Sequence, residues 1–280
     1  MIFNTPLSEI VNKRISVRTY ENKKLDIELR KKLENYLATL DSPFNNEIRY
    51  MLVDKADNEE MKLGTYGVIR GANTYVITAL KRGEMDLEQL GYELEKFILY
   101  ATSLGLGTCW LGGTFKKSEF AKAINLKADE IMPIVTPVGY SKDKTNVLDL
   151  VIRKIAKPEQ RKNFSELFFD GNFENLLAEK ESDIYTFALN MVRRAPSASN
   201  KQPWRILKEG DTFHFYLQHA KGYVDKMGYD IQRVDIGIAM CHFDLSMKEQ
   251  GIEGKFIKLS PDIKVPDQSI EYIISWAKVR

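Results

Sequence analysis

The chain has 280 residues, of which 44% are hydrophobic and 29% are charged, a composition typical of globular rather than disordered proteins. Its 41 Lys and Arg residues nearly balance its 39 Asp and Glu residues, which argues against the strong positive field that attracts nucleic acids or anionic membranes. No apolar run approaches the roughly 18 residues of a membrane span, and neither the two cysteines nor the first residues indicate export, so we expect a reduced, cytoplasmic protein.

The predicted elements follow the same order twice along the chain. A helix, two strands, a second helix and a third strand are predicted at 27–40, 47–53, 73–79, 87–104 and 108–111. The same series is predicted again at 183–194, 204–207, 212–217, 235–250 and 255–257. A closing strand follows each series, at 134–139 and 272–278, and residues 140–163 connect the two.

The two long helices carry the clearest sign of repetition. Gly91 matches Gly237 at a spacing of 146 residues, and Gly105 and Gly251 each follow a helix. Unrelated amphipathic helices that end in glycine could share this pattern, but the matching order of the flanking elements favours a duplication. Apolar pairs at the same spacing are Leu90 and Ile236, Leu94 and Met240, Phe97 and Phe243, and Ala101 and Met247. We predict an α+β protein of two halves, 1–155 and 156–280, each a mixed or antiparallel sheet with packed helices.

A polar strip near the N-terminus is the first candidate site. Arg14, Ser16 and Arg18 alternate with two apolar residues, and in an extended chain this spacing puts the three polar side chains on one face. Guanidinium and hydroxyl groups donate hydrogen bonds that suit a phosphate. Paired arginines are also common on solvated surfaces, so the strip alone does not decide between a site and a surface.

The second candidate is the segment 195–204, whose sequence is APSASNKQPW. It follows a predicted helix that ends in Arg193 and Arg194, and Pro196 favours the end of that helix. Serine, asparagine and proline favour turns, so an ordinary loop would explain this composition. As a binding segment, it offers hydroxyl, amide and backbone N–H groups for the edge of a heterocycle or for a ribityl chain.

Together these segments resemble the nitroreductase and flavin reductase family. The resemblance rests on Arg14-x-Ser16-x-Arg18, on Pro196-Ser-x-x-Asn200-x-Gln202-Pro-Trp204, on Gly105-Leu-Gly-Thr-Cys-Trp110 followed by Gly112 and Gly113, and on a linker that contains Arg161 and Lys162 before a helix predicted at 165–169. Ordinary members of that family are homodimers, in which each flavin site takes the strip from one subunit and the loop from the other.

This chain departs from the family pattern because it divides the two motifs between its halves. The first half has the strip, but its counterpart of the loop, 41–46, lacks the Gln-Pro-Trp ending. The second half has the loop, but no strip is found around 176–183. The resemblance is therefore to a duplicated, single-chain branch of the family, in which one chain imitates the dimer as a pseudo-dimer and keeps one FMN site. A monomer or a weak homo-oligomer is expected.

The resemblance also implies a role for each matching residue. The phosphate would contact Arg14, Ser16 and either Arg161 or Lys162, and Arg18 would lie near the pyrimidine edge of the flavin. The loop would contact the ribityl chain and the ring edge, and backbone N–H groups of 111–113 would approach N5. The predicted FMN-binding residues are Arg14, Ser16, Arg18, Trp110, Leu111, Gly112, Gly113, Arg161, Lys162, Pro196, Ser197, Ala198, Ser199 and Asn200.

The expected function is that of an FMN-dependent NAD(P)H oxidoreductase, which transfers hydride through flavin N5 to a nitro-aromatic, quinone or related acceptor. Such chemistry needs no side-chain acid or base, so no catalytic residue is predicted. Two alternatives stay open: a flavin-binding or redox-sensing protein without turnover, and a phosphate-binding domain in which the motifs are accidental. The histidine spacing predicts no metal site, and Cys109 is expected to be a buried thiol.

Overall fold

The structure, a computed structural model, describes residues 3–55, 63–142, 160–220 and 228–279. The chain divides into two units. The first unit comprises 12–86 and 93–156, and the second comprises 1–11, 87–92 and 157–280. The boundary predicted near residue 155, and most of the predicted connection, lie outside the described residues. Among the helices that the structure describes, none combines the length and the apolarity needed to cross a membrane.

The sheet of the first unit is antiparallel. Its strands are β1 (Ile48–Asp54), β2 (Thr74–Lys81), β3 (Gly107–Thr108), β4 (Glu130–Ile131) and β5 (Val135–Gly139). They are ordered β1-β2-β5-β3, and β4 pairs with the end of β2. Helices Leu7–Lys13 (α1), Ile27–Ala38 (α2), Asp86–Ser103 (α3) and Lys117–Ile124 (α4) occur in this part of the chain. Buried residues such as Ile77, Phe120 and Val135 form the core of this unit.

The sheet of the second unit is mixed. Its strands are β6 (Phe168–Asp170), β7 (Asn172–Leu176), β8 (Trp204–Glu209), β9 (Thr212–Gln218), β10 (Gly254–Ile257) and β11 (Ile270–Lys278), in the order β10-β11-β9-β8-β6-β7. Only β6 and β8 pair in parallel among these described strands. Its helices are α5 (Phe164–Leu167), α6 (Ile184–Arg194) and α7 (Gln232–Glu249).

The two sheets share a strand order. The order β1-β2-β5-β3 in the first sheet corresponds to β8-β9-β11-β10 in the second, because β1, β2, β3 and β5 match β8, β9, β10 and β11 in chain order. The α+β class and the two mixed or antiparallel sheets with packed helices are therefore confirmed. The sequence did not reveal α4, β4 or the β6–β7 hairpin. The helix predicted at 165–169 was wrong in its second part, because Phe168 is extended and pairs with Ile206 of β8. The strand predicted at 108–111 is also shorter, with Leu111 making one isolated bridge.

The two long helices end in the same way. After α3, Gly105 has a φ of 77°, and the N–H of Leu106 donates to the carbonyl of Ala101 at 3.0 Å. After α7, Gly251 has a φ of 73°, and the N–H of Ile252 donates to the carbonyl of Met247 at 2.9 Å. Glycine suits this left-handed position, and the bond satisfies a carbonyl of the last turn. The corresponding atoms are 146 residues apart, the spacing found in the sequence.

Within the second unit, the segment 87–92 of α3 crosses α7 at two glycines. A Cβ atom on Gly91 would lie 2.1 Å from the carbonyl oxygen of Val234, and one on Gly237 would lie 1.9 Å from that of Glu88. Each glycine therefore faces the carbonyl of the residue that lies three positions before the other glycine in the sequence. Such a reciprocal contact is what two copies of one helix make across a two-fold axis, and it supports the internal duplication.

Candidate functional site

In the first unit, the polar strip lies beside β3. Ser16 forms a parallel bridge with Thr108, and the N–H of Val17 donates to the Thr108 carbonyl at 2.8 Å. Burial of Val17 holds the strip in this extended conformation. The Val17 side chain packs against Gly107, and a Cβ atom on Gly107 would lie only 2.7 Å from Val17 Cγ2. Ile15 is exposed. The strand pairing thus fixes the backbone of the strip and leaves Ser16 half-buried.

Arg14 has a donor with no partner. Its side chain is half-buried, and Nε is buried without a hydrogen-bond acceptor among the described residues. Buried polar atoms are nearly always satisfied, so an orphaned guanidinium donor indicates a missing acceptor. An anionic oxygen is the partner that best matches a guanidinium. Arg18 is also half-buried, and its backbone carbonyl accepts from the N–H of Arg70 at 2.9 Å.

The glycine-containing turn after β3 is held at its beginning. Leu111 and Val135 exchange two backbone hydrogen bonds of 3.0 Å, so the N–H of Leu111, predicted to approach N5, is already donated within the sheet. The backbone N–H donors that remain in the turn are those of Gly112, which is half-buried, and Gly113, which is exposed. The half-buried Trp110 donates from Nε1 to the buried carboxylate of Glu95 at 3.0 Å, which fixes its ring. Ser16, Thr108 and this turn form one region of the first unit.

In the second unit, Arg161 and Asn200 are bonded to each other. Arg161 Nη1 donates to Asn200 Oδ1 at 2.7 Å and to the Ala195 carbonyl at 3.1 Å, and Nη2 donates to the Arg194 carbonyl at 2.9 Å. Asn200 Nδ2 in turn donates to the carbonyl of Gln160 at 2.8 Å. Both ends of the Asn200 amide are therefore used within the protein, where the sequence predicted a cofactor contact. The two side chains connect the linker to the loop.

Gln202 makes a second connection between the same segments. Its Oε1 accepts from the N–H of Lys162 at 2.9 Å, and its Nε2 donates to the carbonyls of Gln160 at 3.3 Å and Asn200 at 3.2 Å. Its own N–H donates to Ser197 Oγ at 2.9 Å. Gln202 is buried. It belongs to the motif that suggested the family, but it was not among the predicted site residues, and nothing in the sequence indicated Gln160.

The loop has a strained backbone. Ser199, Asn200 and Gln202 have φ values of 48°, 54° and 49°, in the left-handed region that residues other than glycine rarely occupy. Each such residue costs roughly 1 kcal/mol or more, and it persists only where surrounding contacts impose it. The side-chain bonds from Arg161 and Gln202 are contacts of this kind. The predicted loop residues Pro196, Ser197 and Ala198 are half-buried, and Ser199 is exposed.

Burial and like charges affect two basic side chains beside the loop, those of Lys162 and Arg205. Burial, followed by the positive charge of Arg205, lowers the pKa of Lys162, and Lys201 adds to this effect. Burial also lowers the pKa of Arg205 to about 10, and its Nη1 donates to the carbonyls of Gln202 and Trp204. Only Glu166 among the interacting groups opposes these shifts. Charges that disfavour one another in this way favour a bound anion.

One further residue of this region, Asp235, was not predicted from the sequence. It lies in the first turn of α7, is 3% exposed, and accepts the N–H of Ala198 through Oδ1 at 3.0 Å. Burial raises its pKa well above the ordinary value, and this outweighs the hydrogen bond from Ala198, which lowers the pKa; the negative charge of Asp230 raises it further. Its partner lies 37 residues away in the chain, which no local pattern reveals.

The chain matches a known family over most of its length. A family model described as "Putative TM nitroreductase" matches residues 6–247. The solved structure of a "putative nitroreductase" from Thermotoga maritima aligns with a TM-score of 0.60 and 17% identity, covering 98% of this chain and 93% of that one. It therefore shares the fold. No curated protein matches.

Two other solved structures each match about half of this chain. A nitroreductase with bound FMN from Bacteroides fragilis aligns with 18% identity and a TM-score of 0.39, covering 51% of this chain and 92% of that one. A nitroreductase family protein from Clostridium novyi aligns with 19% identity and a TM-score of 0.41, covering 51% of this chain and 90% of that one.

Proposed function

Since the chain belongs to the family described as "Putative TM nitroreductase", we propose that it is an FMN-dependent oxidoreductase that uses NADH or NADPH to reduce a nitro-aromatic, quinone or related acceptor. Membership in the family makes the chain an oxidoreductase. The cofactor, the hydride donor and the acceptor are the parts that we propose. The bound FMN of the Bacteroides fragilis protein suggests which flavin to test.

The orphaned donor of Arg14 carries the proposal. A half-buried guanidinium whose Nε lacks an acceptor is suited to a phosphate, because phosphate oxygens accept strong, charge-assisted hydrogen bonds. Ser16 lies two residues away on the same extended segment and adds a hydroxyl donor. The donor set thus fits the phosphate of FMN. A neutral ligand would leave the Arg14 charge uncompensated.

The FMN contacts predicted in the second unit are its loop and one basic side chain. Lys162 suits the phosphate better than Arg161, because the guanidinium of Arg161 already donates to Asn200 and to two carbonyls. The exposed hydroxyl of Ser199 and the backbone of 196–200 remain as groups for the ribityl chain and the ring edge. Asn200 would act by shaping this loop. The predicted halves 1–155 and 156–280 would then act as a pseudo-dimer within a monomer or a weak homo-oligomer.

FMN would supply the redox chemistry, accepting hydride at N5 and passing electrons to the acceptor. The chain would bind and orient it. Arg18 would favour the reduced state, because a cation near the pyrimidine edge stabilises the negative charge that this state carries. Gly112 and Gly113 leave space for a close approach to the backbone, since neither has a side chain.

Flavin stoichiometry is the first test. We expect native protein to be yellow and to release a single FMN per chain, NADH or NADPH to bleach it without oxygen, and a quinone or nitro compound to restore the colour. Colourless protein that binds no added FMN would contradict the proposal. If the reduced flavin were reoxidised no faster by any acceptor than by air, the protein would instead be redox-sensing without turnover.

Two arginine variants test the strip. Arg14→Gln is expected to weaken FMN binding about tenfold or more, because a charge-assisted bond to phosphate is lost. Arg82→Gln is the matched control, since Arg82 also loses a charge but pairs with Asp86. Arg18→Ala is expected to slow flavin reduction more than it lowers the melting temperature. If Arg18→Ala binds and reduces FMN normally, the role of Arg18 is wrong.

A further inference from the structure

Asp235 occupies an unusual place for an acidic side chain. It is buried in the first turn of α7, and its Oδ1 accepts the backbone N–H of Ala198, in the loop that the proposed function assigns to FMN. Its Oδ2 is also buried and has no hydrogen-bond partner among the described residues. A carboxylate with one oxygen unsatisfied in the protein interior is strongly disfavoured, whereas a neutral acid tolerates the same place.

The neighbouring charges do not favour ionisation of Asp235. Asp230 is the charged side chain whose field acts on it, and that field disfavours a second negative charge. Asp230 itself lies 2.9 Å from His219 Nδ1, through Oδ2. The helix N-terminus favours an anion, but this effect is small beside the cost of burying an unpaired carboxylate.

We propose that Asp235 is a positioning residue, which as a neutral acid anchors the strained 196–202 loop by accepting the N–H of Ala198. The consequence for cofactor binding rests on the proposed function. Ala198 directly precedes the left-handed residues Ser199 and Asn200, so a fixed N–H at this point limits how the backbone can relax. Together with the bond from Arg161 to Asn200, Asp235 fixes the loop before any ligand binds, which lowers the ordering cost of binding.

Two substitutions separate the acceptor from the charge. Asp235→Asn keeps an oxygen acceptor for Ala198 and cannot ionise, so it imitates the neutral acid. Asp235→Leu keeps the branched shape and removes the acceptor. Asp244→Asn is the matched control, because Asp244 is buried in the same helix but has partners of its own in Tyr92, Lys248 and Trp276.

The first measurement requires no flavin. Amide hydrogen exchange at Ala198 is expected to be unchanged in Asp235→Asn and in Asp244→Asn, and about tenfold faster or more in Asp235→Leu. In FMN titrations, Asp235→Asn should bind within about threefold of the wild type, and Asp235→Leu about tenfold more weakly. Unchanged exchange at Ala198 in a folded Asp235→Leu would overturn the positioning role.

The protonation state has its own readout. At a pH where exposed aspartates are ionised, the ¹³C signal of the Asp235 carboxyl should still be that of the neutral acid, and its loss in Asp235→Asn assigns it. An ionised signal, or an Asp235→Asn variant whose Ala198 amide exchanges about tenfold faster than that of the wild type, would overturn the neutral acid, even if Asp235→Leu does not fold. Wild-type protein that shows the protected amide and the neutral carboxyl but binds no FMN would overturn the proposed function instead.

Discussion

The loops 41–46 and 195–203 hold the same place in the two halves, each between a helix and the first strand of the repeated series, yet they are stabilised differently. In the first, Lys96 of α3 donates to Asp41 Oδ1 at 2.5 Å and to the Asp41 carbonyl at 3.0 Å. None of the residues 41–46 has a positive φ. In the second, three residues other than glycine are left-handed, and Arg161, Gln202 and Asp235 hold them.

The two loops thus differ in backbone strain. The relaxed loop is held by the Lys96–Asp41 ion pair and by side-chain bonds of Ser42 and Asn46, whereas the strained loop is held by bonds from the linker and from α7. Strained backbone persists where the surrounding structure imposes it, and it clusters at ligand sites. The strained copy is also the one with the family motif, and the relaxed copy lacks it. The two parts of the chain therefore share a strand order but differ in the backbone of this loop.

The largest expected effect tests the duplication itself. Gly91→Ala and Gly237→Ala each place a Cβ about 2 Å from a backbone carbonyl oxygen of the facing helix. Because that oxygen belongs to the backbone, the clash can be relieved only if the two helices move apart. We expect each to lower the free energy of unfolding by about 3 kcal/mol or more. The two losses should be similar, because the contacts are reciprocal. Urea unfolding of both variants measures them.

Gly139→Ala is the control for that pair. A Cβ on Gly139 would lie 3.4 Å from Tyr20 Cδ1, an ordinary contact distance, so the cost should stay below about 1 kcal/mol. If Gly91→Ala were tolerated while Gly237→Ala was not, the helix crossing would not be reciprocal, and the duplication would lose this support.

The second prediction concerns the bonds that only the strained loop has. Arg161→Ala removes three hydrogen bonds to Asn200 and to the carbonyls of Ala195 and Arg194. We expect a loss of about 2 kcal/mol or more in the free energy of unfolding, because a buried hydrogen bond from a charged donor contributes about 1.5–3 kcal/mol, and water replaces part of this at the half-buried Arg161. Amide exchange in 196–202 should accelerate, while exchange in 41–46 should not change. Equal acceleration in both loops would show general destabilisation.

Two buried carboxyl groups are expected to give the units opposite pH dependences. Hydrogen bonds from Arg49 lower the pKa of Glu130 in the first unit from 4.5 to about 2, so its contribution to stability is present above pH 4.5 and is lost as pH falls toward 2. Burial raises the pKa of Asp235, so its contribution is present below the ordinary value of 3.8 and is lost as pH rises toward the raised pKa. Each slope is limited to about 1.4 kcal/mol per pH unit.

Substitution by amides separates these two slopes. In urea unfolding at several pH values, Glu130→Gln should flatten the loss of stability on the acid side, and Asp235→Asn should flatten the decline on the side above pH 4. If Asp235→Asn instead steepened the decline above pH 4, the sign assigned to Asp235 would be wrong.

Sequence periodicity was enough to find the repeated elements but not to find the bonds between them. The helix predicted at 87–104 is Asp86–Ser103 in the structure, and Gly105 ends it as expected, because apolar spacing and a final glycine are local signals. The helix predicted at 165–169 extended too far, because pairing of Phe168 with Ile206 is a non-local contact.

The candidate site was predictable as a set of segments and not as a set of contacts. The strip and the loop were identified by residue type, and whether they bind FMN stays a prediction. That Asn200 bonds to Arg161, that Leu111 donates to Val135 and that Asp235 accepts from Ala198 depends on tertiary structure. Positive φ at Ser199 is likewise imposed by the fold, since serine does not favour it.

The smallest expected effect compares the strain of the two loops directly. Ser199 is exposed with a φ of 48°, so Ser199→Gly should relieve strain and raise the free energy of unfolding by up to about 1 kcal/mol. Ser42 has a negative φ, and its hydroxyl bonds to Phe44, so Ser42→Gly should lower that free energy by about 0.5–1 kcal/mol. Ser199→Gly should also weaken FMN binding severalfold, since strain and function are expected to coincide. Destabilisation by both glycines would show that the second loop stores no strain at Ser199.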